Sequence, residues 1–134
     1  FLLENMGITL EGIEGEQYLM NFLKGKGFKV FQPDAIGLYH DIYYLFEMKH
    51  QERFKKPPFD GHGLPRWQIE ARLAFFHKTK IPIILVILDK ETNEIFHQYL
   101  DKLEEGPHFD THGLKPRRIY PLESFKVATA GAVS

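Results

Sequence analysis

Hydrophobic and polar positions along the chain divide it into a short series of elements. Between Glu14 and Lys24, Tyr18, Leu19, Phe22 and Leu23 recur at three- and four-residue intervals, which predicts a helix closed by the Gly25 to Gly27 region. "FKVF" (28–31) predicts a short strand ended by Pro33. "DAIGLY" (34–39) and "IYYLFEMKH" (42–50) predict a hairpin folded at His40 and Asp41. Residues 51–66 hold adjacent prolines and two glycines without periodicity, and predict a long loop. Pro65 then suits the first turn of a helix reaching about Lys78, with Ile69, Leu73 and Phe76 inward. "PIILVIL" (82–88) is apolar without alternation and predicts a central strand covered by helices on both faces. Beyond it, 94–100 reads as strand or helix, with strand preferred, 101–106 as a helical turn, and 117–125 as an edge strand carrying Pro121. Residues 127–134 read as a frayed tail.

The order α-β-β-β-α-β with C-terminal strands implies an α/β fold around a mixed central sheet flanked by helices. At 134 residues and 43% hydrophobic, with no dividing linker, the expectation is a single domain over residues 1–134. The 17 basic and 18 acidic residues leave a net charge of −1, so a nucleic-acid partner would have to be met by a local patch. Cysteine is absent, which excludes disulfides and thiolate zinc sites. No apolar run is long enough to cross a bilayer as a helix, and no leader is recognisable. Hence the expectation is a cytoplasmic protein without membrane association.

The strand 42–50 raises the chemical question. Alternation puts Tyr43, Leu45, Glu47 and Lys49 on one face, so an acid and an ammonium point the same way from a buried strand. Buried charges need a partner or a metal. A hairpin folded at residues 40 and 41 sets Asp34 across from Glu47, with their Cβ atoms about 5 Å apart. Carboxylates that close require a proton or a cation between them, and a hard divalent ion such as Mg²⁺ satisfies such oxygens. Glu16 precedes Leu19, Met20 and Leu23 by three, four and seven residues, on the sheet-facing side of the first helix. Glu14 lies on the opposite, solvent-facing side.

Pro33-Asp34, a twelve-residue gap and Glu47-Met48-Lys49, preceded by Glu16 and followed by Gln68 in "WQIEARL", resemble the PD-(D/E)XK nuclease superfamily. Order and spacing are most similar to the archaeal and phage Holliday-junction resolvase-type endonucleases. The resemblance covers roughly residues 10–90. It implies a restriction-endonuclease-like core and a Mg²⁺- or Mn²⁺-dependent endonuclease acting on DNA, branched junctions included. Asp34, Glu47 and the Met48 carbonyl would hold the ion, Lys49 would sit beside the attacking water or the reacting phosphate, Glu16 would orient a metal-bound water or support a second ion, and Gln68 would position Lys49 or touch the substrate. It also implies a homodimer. Arg53, Lys55, Lys56, Arg66 and Arg72 would form a phosphate-contacting rim.

Other readings of these residues stay open. Glu47 and Lys49 form a plain ion pair in one. Asp41 competes with Asp34 as the motif acid across a shorter gap, although Asp also suits a turn. Gln68 and the basic residues also suit a solvated surface, and Phe54, Phe59 and Trp67 suit packing better than base stacking. "FDGHG" (59–63) is echoed by "FDTHG" (109–113), but His62 and His112 lack zinc-ligand spacing. A repair, restriction-like or phage DNA-processing nuclease, and a non-catalytic nucleic-acid-binding module, are the functional alternatives.

Overall fold

The computed structural model describes residues 12–28, 30 and 33–129. The chain divides into two compact units, residues 1–32 and 33–134. Helix α1, Gly12–Gly25, belongs to the first; the turn after it holds Gly27, whose φ of 94° is a left-handed conformation that glycine adopts without strain. Two of the four residues expected to form a strand over 28–31 lie outside the described residues, and Phe28 and Val30 belong to no strand.

In the second unit, β1 (Ala35–Tyr39) and β2 (Ile42–Gln51) form the hairpin. His40 and Asp41 both take positive φ, 48° and 63°, so the connection is of the primed type whose twist matches that of paired strands. Tyr39 pairs with Ile42 and Ala35 with Phe46, a register that continues to Asp34 opposite Glu47. After β3 (Gly61–Pro65) and α2 (Arg66–Thr79) comes β4 (Ile83–Asp89), parallel to β2. Strand β5 (Glu94–Tyr99) runs antiparallel to β4, and α3 (Leu100–Glu105) follows it. Then come β6 (Phe109–Asp110), β7 (Arg117–Pro121) and β8 (Lys126–Thr129). The result is a mixed five-stranded sheet, β1-β2-β4-β5-β8, and a three-stranded sheet, β3-β7-β6.

This is the α/β class, with a mixed central sheet and α2 and α3 against it, and with several local differences from expectation. The loop predicted over 51–66 contains β3, and Pro65 ends that strand instead of opening the helix. "GHGLP" has no strand signature; it pairs because its glycines let β7 approach. A Cβ at Gly61 would strike the Tyr120 carbonyl and one at Gly63 the Arg118 carbonyl. Strand β7 is central, not an edge. Pro121 is tolerated because β6 pairs only with Arg118 and Ile119 and never reaches it. Residues 127–129, expected to fray, pair with β5 as part of β8. The faces of β4 are unequal as well: Ile83, Leu85 and Ile87 are buried, while Ile84, Val86 and Leu88 are only half-buried. The covered face meets α2, α3 and the small sheet, and its core includes Leu45, Leu64, Ile69, Phe96, Leu103 and Ile119.

A buried polar cluster joins the two sheets at the C-terminal ends of β2 and β4. His62 is fully buried, its Nε2 2.8 Å from Asp89 Oδ2 and its Nδ1 3.0 Å from Gln51 Oε1. The Gln51 amide also donates to the Gly63 carbonyl at 3.3 Å. Asp89 further accepts from Arg53 Nε at 3.0 Å and from the backbone N–H groups of Glu91 and Thr92. Burial pushes the Asp89 carboxyl up, but the bonds from His62, Thr92, Glu91 and Arg53 outweigh it and hold it well below the usual carboxylate range. Burial likewise pushes the His62 imidazole down, against the pull of Asp89.

Two consequences are measurable. Gly63→Ala forces β3 off β7 and should cost roughly 2–4 kcal/mol in denaturant unfolding, whereas Gly25→Ala, where a Cβ meets nothing, should cost none of this. Asp89, with its folded pKa depressed, contributes stability that is complete above about pH 4 and is lost as pH falls below that. Asp89→Asn should therefore be weaker than wild type by roughly 3 kcal/mol at pH 7. The gap between their melting temperatures should shrink by pH 3, and a gap that does not change with pH would contradict this account of the cluster.

Candidate active site

Glu47 lies in the middle of β2 on the covered face, with 1% of its surface exposed. Its position follows from strand alternation: Leu45, Glu47, Lys49 and Gln51 face the same way, and the parallel register sets Glu47 beside Leu85. Helix α2 crosses above it. From the first turn, Gln68 Nε2 donates to Glu47 Oε2 at 3.1 Å; one turn later Arg72 Nε donates to Oε1. Gln68 and Arg72 are four residues apart, so both fall on the sheet-facing stripe of the helix. Arg72 is itself only 4% exposed.

Asp34 approaches from the neighbouring strand. Its Oδ2 accepts the Met48 N–H at 2.8 Å, which fixes the carboxylate at the end of β1 next to Glu47. Burial pushes the Glu47 carboxyl above its ordinary value; the hydrogen bond and charge of Arg72 pull it down, and Asp34 pushes it up again, leaving it raised. Lys49 is half-buried, two residues along from Glu47, and has no ion-pair partner among the described residues. Asp41 sits exposed in the turn, about 20 Å along the chain from Glu47.

The structure thus brings together Asp34, Glu47 and Gln68, with Lys49 on the same face of β2. Glu16 belongs to the backbone of α1, and its side chain lies outside the described residues. Among the described residues no group of three or more acids and histidines is placed to hold a metal ion. The donors that do converge are two carboxylates and the backbone around Met48, a hard-oxygen set suited to Mg²⁺ or Mn²⁺. Each Glu47 oxygen already accepts one N–H and keeps a second lone pair. The residues present fit such an ion.

The basic rim is dispersed. Arg72 is buried against Glu47 instead of facing solvent, because a carboxylate on this face demands a cation. Arg53 is held by Asp89 and, at 3.6 Å, by Glu91, and Lys55 also pairs with Glu91. Lys56 is exposed. Arg66 is exposed, 3.5 Å from Asp110 and 3.8 Å from Glu70. Phe54 and Phe59 pack on Phe109, with ring centroids 5.5 and 5.0 Å away, whereas Trp67 is 69% exposed. The echoed pentapeptides do not meet at a metal: His62 is in the cluster with Asp89, His112 is exposed, and Asp110 pairs with Arg118 at 2.8 Å. The sequence reading missed Arg72 as the partner of Glu47. The signal for Arg72 was its four-residue spacing from Gln68.

No helix among the described residues is long and apolar enough to cross a membrane. No family model and no curated protein matches the sequence. Among solved structures, the chain is similar to Archaeoglobus fulgidus Hjc, a Holliday junction resolvase from an archaeal hyperthermophile, at 14% identity over 78% of this chain and 80% of that one, with a TM-score of 0.42.

Proposed function

We propose that this protein is a divalent-metal-dependent endonuclease of the PD-(D/E)XK type that hydrolyses DNA phosphodiester bonds, branched junctions among its substrates. The observation that carries the reading is the convergence of Asp34 and Glu47 across one hairpin, with Lys49, which has no ion-pair partner among the described residues, on the same face. Two neighbouring carboxylates repel, and that repulsion is a cost that a cation between them relieves.

In this reading Asp34, Glu47 and the Met48 carbonyl hold Mg²⁺ or Mn²⁺, which when bound polarises the scissile phosphate and activates water. Asp34 is oriented by the Met48 N–H, so its carboxylate is set before the ion arrives. Gln68 fixes the Glu47 carboxylate, and Arg72 offsets its buried charge. Lys49 supplies positive charge where negative charge gathers on the phosphate. Glu16 is proposed as an auxiliary acid, and DNA cleaved symmetrically at a junction would call for a homodimer.

One observation favours a second reading, a DNA-binding module without catalysis: both Glu47 oxygens are already engaged by Gln68 and Arg72. A cleavage panel of four-way junction, linear duplex and single strand, with Mg²⁺, Mn²⁺ or EDTA, separates the two. Metal-dependent cleavage supports the nuclease, and DNA binding without cleavage under any metal supports the module.

Asp34→Asn and Glu47→Gln should abolish metal-dependent cleavage while leaving DNA binding within about threefold. Lys49→Ala should lower turnover by roughly 10²-fold or more with metal affinity little changed. Asp41→Asn should be active; an inactive Asp41→Asn beside an active Asp34→Asn would overturn the assignment. Arg72→Ala leaves Glu47 buried without its cation and should cost roughly 3–5 kcal/mol of stability, while Lys56→Ala leaves melting unchanged.

A further inference from the structure

The indole of Trp67 is mostly exposed. Helix α2 buries Ile69 and Arg72, while Trp67, the chain's sole tryptophan, is 69% exposed at its first turn. It forms one wall of a groove of about 690 Å³, and Leu114 and Lys115 form the other; Pro65, Arg66 and Arg117 also line it. The walls are fixed by backbone pairing: the Arg66 N–H donates to the Pro116 carbonyl at 2.9 Å, and Arg117 pairs with Pro65 across β3 and β7. Leu114 is fully exposed.

The charge in this groove is lopsided. Arg66, Lys115 and Arg117 line it, with Glu70 the sole acid among the described residues. Lys115 is exposed and has no ion-pair partner among the described residues, and Arg66 keeps only loose contacts of 3.5 and 3.8 Å with its acids. Arg117 Nη2 donates to the Gly63 carbonyl at 2.9 Å, so its guanidinium is held in place. Arg117 also lines a second hollow of about 280 Å³, with Gln51 and Arg53, at the C-terminal end of β2. Gln68, next along the helix from Trp67, is the residue that reaches Glu47. The groove therefore begins on the helical turn that supports the candidate active site.

We propose that this groove binds an unpaired stretch of DNA, one base stacking on Trp67 and the flanking phosphates lying against Arg66, Lys115 and Arg117. An exposed flat aromatic beside several cations matches a nucleotide in two ways at once, its π-face and its phosphate. A continuous duplex meets only the second, because its base faces are covered by their neighbours in the stack. The proposal rests on the preceding reading for the choice of DNA as ligand, and it narrows the substrate to DNA with unpaired nucleotides next to the cut.

Because Trp67 is the only tryptophan, its fluorescence reports on the groove directly. The full chain, in EDTA so that no cleavage occurs, is titrated with oligo-dT of about a dozen nucleotides, with a blunt duplex of equal length, and with an abasic oligomer carrying the same phosphates. Oligo-dT should quench the emission, and the duplex and abasic oligomers should do so far less. Read by the anisotropy of an end-labelled oligomer, because these variants lack the indole, Trp67→Ala should weaken oligo-dT binding roughly tenfold and leave abasic binding unchanged, while Trp67→Phe restores most of the loss. Lys115→Ala should lower the slope of log affinity against log salt by about 0.7. Equal quenching by the abasic oligomer or the duplex, or none by oligo-dT, would overturn the proposal. So would an emission that changes on dilution of the protein alone together with a doubled mass, which makes the groove a contact between copies. Since no metal is present, these outcomes are independent of the cleavage panel: quenching without cleavage ends the nuclease reading and leaves the groove, and cleavage without quenching does the reverse.

Discussion

A carboxylate buried in the face of a sheet is the constraint around which the second unit is arranged. Glu47 can be ionised there only if opposite charge and hydrogen bonds replace the water it has lost. Arg72 and Gln68 supply them from α2, one helical turn apart. That requirement fixes both the rotation of α2 about its axis and its position along β2. An alternative rotation would present Trp67 or Glu70 to the sheet and leave Glu47 without compensation. Ile69, fully buried between the two polar contacts, contributes the apolar share of the same interface, about 1.5–3 kcal/mol by the usual transfer scale.

A second anchorage sits at the far end of the same strand. His62 ties β3 to Gln51 and Asp89, and the glycines on either side of it let β3 lie close to β7. Helix α2 starts directly after β3, so the cluster also determines where the helix begins. Position and rotation of α2 thus come from two separate polar contacts, His62 with Asp89 and Arg72 with Glu47. Between them lies Lys49, the one charged group of this strip without an ion-pair partner among the described residues. An ammonium on this face with no ion-pair partner among the described residues is the feature that stability does not account for.

Much of this could be read from local patterns, and what could not has physical causes. The hairpin register was legible because a two-residue turn leaves no freedom: once His40 and Asp41 are the turn, Asp34 faces Glu47. Strand β3 was not legible. "GHGLP" forms a strand through what β7 allows, and no propensity of its own signals it. Arg72 looked like a surface cation because helical periodicity places it beside Gln68 without revealing what lies beneath. Trp67 looked like a packing residue because aromatic residues mostly are; only the positions of α2 and the 111–116 segment leave it uncovered.

By itself, the sequence determined the elements whose causes are local: the periodicity of α2, the apolar run of β4, the turn at 40–41, and through it the pairing of two acids. Those follow from a few neighbouring residues and a fixed repeat. Tertiary structure decided everything that depends on which surfaces meet: that Arg72 goes inside, that His62 closes a polar cluster, and that Lys115 and Arg117 gather beside Trp67. Burial and charge compensation are properties of contacts between segments far apart in the chain, and no local pattern encodes them.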